Sequence, residues 1–192
     1  MGYLQEKIAE LEAYLPPLTR RPDFEEFWQE TRRRALSVPL EAKVEKIDHP
    51  AAAMDVYDVS YCGFDSTRIS AWLIVPRFVK REKLPCMVQF HGFTGSRGAP
   101  SDHMAFAALG CAVLALDCRE QGGVTGNDAA YSGSGMVTNL VSKGILDKNE
   151  YYYRAVYMDC QKALDLLETL PFIDGERLFV RGTSQGGALG MA

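Results

Sequence analysis

The most pointed chemical signal in the chain is Gly182-Thr183-Ser184-Gln185-Gly186. It matches Gly-x-Ser-x-Gly, the pattern of a serine nucleophile set on a sharp strand-to-helix turn. Five residues alone can match by chance, but the setting is selective. The apolar run Leu178-Phe179-Val180 leads straight into the motif, and small residues follow it as the start of a helix. Such a turn strains the serine backbone and crowds its neighbours, so glycines are required on both sides, here Gly182 and Gly186. It also lifts the hydroxyl above the sheet, where it can attack a carbonyl.

A second signal, His91-Gly92-Phe93-Thr94-Gly95, follows the run Cys86-Met87-Val88-Gln89-Phe90. Acyl transfer through serine needs backbone N–H donors for the tetrahedral oxyanion. One is expected from Gln185, the residue after the nucleophile. The other is expected from the loop at the end of a neighbouring strand, with Phe93 N–H as the candidate. His91 reads as shaping that loop together with Gly92, rather than as a base or metal ligand. His49 and His103 read as structural or surface residues. Asp117 reads as a loop brace paired with Arg119, not as a catalytic acid. This chemistry calls for no metal and no cofactor.

Elements that must position these residues are legible from periodicity. Leu4, Ile8, Leu11 and Leu15 mark a first helix, stopped by Pro16-Pro17. Asp23 and Glu26 mark the start of a second helix bearing Phe24, Phe27, Trp28 and Ala35. Together they form a helical extension over 1–36, and Arg32-Arg33-Arg34 reads as its solvated end. Tyr57, Val59 and Tyr61 alternate, as do Ile69, Ala71, Leu73 and Val75, which predicts an antiparallel hairpin over 54–76. From residue 86 to 192 the pattern is that of a parallel α/β sheet. Apolar runs at 86–90, 112–116 and 178–180 suit strands buried on both faces. A short helix ending at Gly110 and a long one marked by Tyr153, Val156, Tyr157, Cys160, Ala163, Leu164 and Leu167 connect them. Asp174-Gly175 reads as the turn into the last strand. Residues 120–149 are rich in Gly, Ser and Asn, and read as a functional loop at a strand's carboxyl end.

Composition narrows the function classes. The chain has 192 residues, 47% hydrophobic and 24% charged, which suits one globular domain over 1–192. Its formal net charge of −4 favours neither nucleic acid nor an anionic membrane surface. Five scattered Cys without a C-x-x-C pair argue for a reducing compartment, hence the cytoplasm. No apolar run is long enough to span a membrane.

Several stretches carry a family resemblance: LPPLTRRPDFEEFW, VYDVSYCGFDSTRISAWLIVP, QFHGFTGSRG, YYYRAVYMDCQKALD and RGTSQGG. They resemble the acetyl xylan esterase / cephalosporin C deacetylase family of α/β-hydrolases, from about Leu15 onward. The resemblance implies an α/β-hydrolase fold, a mostly parallel sheet begun by an antiparallel hairpin. It implies Ser184 as nucleophile, Phe93 and Gln185 as oxyanion donors, and a small acetylated ester as substrate. For a complete protein it implies a homo-oligomer, a hexamer. Two positions depart from the family pattern: Phe93 stands where tyrosine is usual, and Glu120 where Arg-Gly-Gln has its glycine. A glutamate takes positive φ with difficulty, which bears on the turn at 119–121.

In this fold the nucleophile precedes an acid and then a histidine in the chain. Residues 185–192 contain neither. The expectation is therefore the N-terminal portion of such an enzyme, with the C-terminal portion absent and Arg177 to Val180 at an open sheet edge. Alone it should be unstable, aggregated or covered by a partner. The alternatives are a non-catalytic or non-functional remnant of the fold, or a peptidase or lipase on the same elbow.

Overall fold

The computed structural model describes residues 2–133 and 139–192. Two units, Met1–Glu30 and Thr31–Ala192, are distinguished. In the first, α1 (Tyr3–Glu12) follows the expected spacing, yet buries none of its residues. It ends before Leu15, because a residue preceding proline is pushed out of the helical region. The second helix, α2 (Phe24–Ser37), starts directly after Asp23, whose carbonyl accepts the Phe27 N–H at 2.9 Å. Trp28 packs edge-on against Phe24 and Phe27.

The second unit is built on a six-stranded sheet: β1 (Lys43–Ile47), β2 (Met54–Cys62), β3 (Arg68–Pro76), β4 (Leu84–Phe90), β5 (Ala112–Leu116) and β6 (Ile173–Gly182), in the order β1-β2-β3-β5-β4-β6. The β2–β3 hairpin is antiparallel, with Val59 opposite Ala71 and Tyr61 opposite Ile69. β5 and β6 flank β4 in parallel, placing Val88 between Leu114 and Val180. β1 was not anticipated from the sequence. Its Lys43, Glu45 and Lys46 hide the strand period, and charged residues are what a protected edge strand carries. β6 forms the other edge among the described residues. Its pairing jumps from Leu84–Ile173 to Cys86–Leu178, so Asp174 to Arg177 bulge. The Asp174 carboxylate ties that turn by accepting from Glu176 N and Arg177 Nε.

Helices cover both faces. On one face α4 (Tyr152–Glu168) lays Tyr152, Val156, Cys160, Ala163, Leu166 and Leu167 against Tyr61, Leu73, Val88 and Leu114. On the other, the short α3 (Met104–Ala107) packs Ala107 with Ile74 and Val113. The helix stops at Ala107, three residues before the expected Gly110, which ends the turn that follows with φ +93°. The apolar stripe of α4 was legible in the sequence, but Arg154, Asp159 and Lys162 are buried on it too. Arg154 Nε donates to Thr31 Oγ1, and Lys162 Nζ to the carbonyls of Ala35 and Val38. Lys162 thus adds a donor to the Ala35 carbonyl, which also accepts the Val38 N–H, and holds the Val38 carbonyl just past the end of α2. Burial pushes its pKa below the ordinary lysine value.

Among its described residues, the loop expected over 120–149 contains one short 3-10 turn, Leu140–Ser142. Its residues 134–138 lie outside the described residues. No described helix is long and apolar enough to cross a membrane.

Leu114 lies fully buried at the centre of the sheet. Leu114→Ala should cost about 2–5 kcal/mol of stability, read from denaturant unfolding of the full-length protein. A loss under about 0.5 kcal/mol, the size of ordinary surface substitutions, would place Leu114 outside the core.

Candidate active site

At the carboxyl ends of the parallel strands, β6 turns into α5 (Gln185–Met191) through Thr183 and Ser184. Ser184 is exposed, with φ 55° and ψ −122°. Such a conformation costs about 1–3 kcal/mol and persists only where the surroundings impose it. They do so through close backbone approach. A Cβ on Gly186 would stand 2.1 Å from the Phe90 carbonyl oxygen, and one on Gly182 would stand 2.0 Å from Gly186 O. Neither glycine has positive φ, so both are demanded by space rather than by dihedral freedom.

This contact brings the two sequence motifs together. A Cβ on Gly92 would lie 3.6 Å from Thr183 O and 3.9 Å from Ser184 Cβ. Residues Gly92 to Gly95 form a tight turn, closed by Gly95 N–H on Gly92 O at 2.9 Å, with Thr94 at φ 64°. Phe93 occupies its first corner. The backbone N–H groups of Phe93 and Gln185 have no acceptor among the described residues. One belongs to the residue after Gly92, which meets Ser184, and the other to the first residue of α5, directly after Ser184.

His91 commits both ring nitrogens. Nε2 accepts the Cys118 N–H at 2.9 Å, so Nδ1 carries the proton and donates to Gly92 O at 2.7 Å. The ring couples the Gly92 turn to the segment after β5. His103 Nε2 donates to Arg97 O, and His49 Nδ1 accepts from Ala51 N. Asp117 is a brace, but not for Arg119. Its carboxylate accepts from Arg97 N at 2.6 Å and Val124 N at 2.9 Å. Arg119 is drawn elsewhere because two carboxylates lie within its reach. Its guanidinium grips Asp159 through Nε and Nη2 at 2.7 and 2.8 Å, and Asp65 through Nη1 at 2.8 Å. Burial works against the Asp65 carboxylate, but Arg119 holds its pKa below the usual range. Burial raises the Asp159 pKa, opposed by the guanidinium and the Phe64 N–H.

Gln121, Tyr152 and Tyr153 were missed as site residues. The Gln121 side-chain Oε1 accepts the Thr94 N–H at 2.9 Å, and Nε2 donates to Gln185 Oε1 at 3.0 Å. One side chain therefore links both loops that present the free amides. Tyr153 donates its hydroxyl to the same Gln185 Oε1 at 2.6 Å, and Tyr152 accepts from Gln121. Burial pushes the Tyr153 phenol up to about 12, which keeps it a donor. The signal in the sequence was the Arg119-Glu120-Gln121 triplet, directly after a strand end. Glu120 does take the left-handed turn, at φ 57°, against an intrinsic cost of about 1–2 kcal/mol. Burial, then the charges of Asp159 and Asp117, push the nearby Cys118 thiol up to about 12, which keeps it protonated near neutral pH.

The model of the acetyl xylan esterase family matches residues 1–192. An acetyl esterase of Xylanibacter ruminicola is 30% identical over 189 residues, covering 92% of this chain and 41% of that protein. The solved acetyl xylan esterase of a Paenibacillus species superposes with a TM-score of 0.89 at 39% identity, over 95% of this chain and 58% of its own. Acetyl xylan esterase 1 of a Thermoanaerobacterium species gives 0.88 at 25% identity, over 96% and 57%. The α/β-hydrolase fold is thereby shown, and the chain spans little more than half of these solved relatives.

The elbow geometry distinguishes neighbouring glycines. Gly186→Ala should abolish native folding of the turn, because its methyl would meet the β4 backbone. Gly187→Ala, whose methyl would meet only Gly182 O at 3.7 Å, should melt close to the parent. Thermal melts of the two variants check this, and equal behaviour would contradict it.

Proposed function

Because the chain belongs to the acetyl xylan esterase family, we propose that it carries the nucleophile and oxyanion hole of a serine carboxylesterase. Its substrates would be acetylated sugars such as xylo-oligosaccharides, and small acetate esters such as cephalosporin C. The observation that carries this reading is the strained, exposed Ser184 set against the Gly92 turn. Ser184 Oγ attacks the acetyl carbonyl carbon. The Phe93 and Gln185 N–H groups take the charge that forms on the carbonyl oxygen. A histidine from outside residues 1–192, oriented by an acid also from outside them, removes the serine proton and delivers it to the leaving sugar oxygen. Water then attacks the acetyl-serine and releases acetate, and the serine regains its proton.

The three histidines of this chain are not assigned the base role. His91 has both nitrogens on backbone groups, and His49 and His103 make backbone contacts of their own. Five free, buried thiols favour a cytoplasmic setting. The family resemblance favours a homo-oligomer, a hexamer, for the complete protein.

In the full-length protein Ser184→Ala should lower kcat on a chromogenic acetate ester by about 10⁶, with KM little changed. Phe93→Tyr should be nearly neutral, since the donor is backbone. Phe93→Pro should lose about 10²–10³ in kcat, because proline has no N–H. Activity retained in Ser184→Ala would end the serine reading, and a fully active, folded Phe93→Pro would remove Phe93 from the hole.

A further inference from the structure

Glu120 immediately precedes Gln121, and its φ of 57° is one that glycine takes freely and glutamate avoids. Its carboxylate is held at the far end. Lys143 Nζ reaches Oε1 at 2.6 Å and Oε2 at 2.5 Å, and Asn127 Nδ2 donates to Oε2 at 2.6 Å. Both donors are themselves fixed. Lys143 Nζ sits 4.5 Å over the Tyr131 ring, and its carbonyl accepts the Tyr152 N–H at 3.0 Å. Asn127 Oδ1 accepts from Arg119 at 3.2 Å, and its Nδ2 also reaches the Tyr131 hydroxyl. The Glu120 N–H donates to Thr125 O at 3.0 Å. A glutamate in a turn would ordinarily leave its carboxylate in water. Here the side chain is anchored, and the residue it immobilises leads into the one that ties Thr94 to Gln185.

We propose that Glu120 is a positioning residue for the oxyanion hole. Gripped by Lys143 and Asn127, it holds the left-handed turn that aims the Gln121 amide at Thr94 N–H and at Gln185. The inference rests on the reading of Phe93 and Gln185 as oxyanion donors. Glu120 acts through Gln121 and touches no reacting atom. The grip supplies by attraction what a glycine would supply by conformational freedom. The requirement for Lys143 should therefore vanish when residue 120 is glycine.

The test uses the full-length protein and two readouts: kcat and KM on a chromogenic acetate ester, and hydrogen exchange of the Thr94 amide. The second depends on the Gln121 contact and not on chemistry. Lys143→Met should lower kcat about tenfold, leave KM within about twofold and speed Thr94 exchange about tenfold. Adding Glu120→Gly to Lys143→Met should restore both readouts. A strap that merely anchors the loop would stay broken in that double variant, since glycine brings no carboxylate. Should Lys143→Met fail to fold, Glu120→Gln removes the charge at similar shape and should show the same losses. Unchanged kcat and exchange, or losses that glycine does not restore, overturn the proposal. Ser184→Ala run in parallel separates the two readings. Activity surviving it removes Ser184 as the nucleophile, while Thr94 exchange still decides whether Glu120 positions Gln121.

Discussion

Around Ser184 everything depends on how closely the turn after β6 approaches the end of β4. The backbone at Gly186 passes so near the Phe90 carbonyl that no side chain fits between them. That contact fixes the serine in its strained conformation, sets α5 against the sheet, and brings the Gly92 turn beside Ser184. It depends in turn on β4 and β6 being parallel neighbours in register, with Phe90 opposite Gly182. Strain of this kind is maintained only by packing that cannot relax, and β4 supplies it with Cys86, Val88 and Phe90 in the core beneath α4, while Phe179 and Val180 on β6 stay about half exposed.

A second constraint orders the loops above the strand ends. Arg119 is fully buried and neutralised by Asp159 from α4 and Asp65 from the β2–β3 turn. Removing either carboxylate would leave the guanidinium short of a buried partner, at a cost of about 3–5 kcal/mol. Tyr61 joins the same cluster by donating its hydroxyl to Asp159 O. Asp117 clamps backbone amides at 97 and 124, and a Cβ on Gly123 would collide with its carboxylate. These buried charges link the hairpin, the long helix and the loops beside Ser184. The Gly92 turn and the start of α5 are thus held in place by the fold itself, the preorganisation that the proposed oxyanion role of Phe93 and Gln185 requires.

Much of this was legible in the sequence, for identifiable reasons. The hairpin, the strands at 86–90 and 112–116 and the stripe of α4 are written in apolar periodicity, which burial enforces, whereas the run at 178–180, read as buried on both faces, leaves Phe179 and Val180 about half exposed at the sheet edge. The meeting of Gly92 with Ser184 followed from two motifs, each at a strand end. What escaped was written in polar residues. β1 carries charges at an edge, where no apolar alternation is needed. Arg154, Asp159 and Lys162 look like solvent-facing positions until their partners at Thr31, Arg119 and Ala35 are known. Asp117 and Arg119 are near in sequence, yet Asp117 braces the amides of Arg97 and Val124 while Arg119 grips Asp159 and Asp65, 40 and 54 residues away. Gln121 bridges residues 27 and 64 positions distant, a relation that only the folded chain discloses.

The central claim is that Ser184 is an activated nucleophile facing two backbone donors. A fluorophosphonate tests it most directly. The serine oxygen displaces fluoride at phosphorus, a phosphonate ester forms, and hydrogen fluoride leaves. Incubated with the full-length protein and analysed by mass spectrometry, the probe should add once per chain, on the peptide containing Ser184, and acetate-ester turnover should fall in step. No adduct, or an adduct on a different residue with turnover unaffected, would contradict the account.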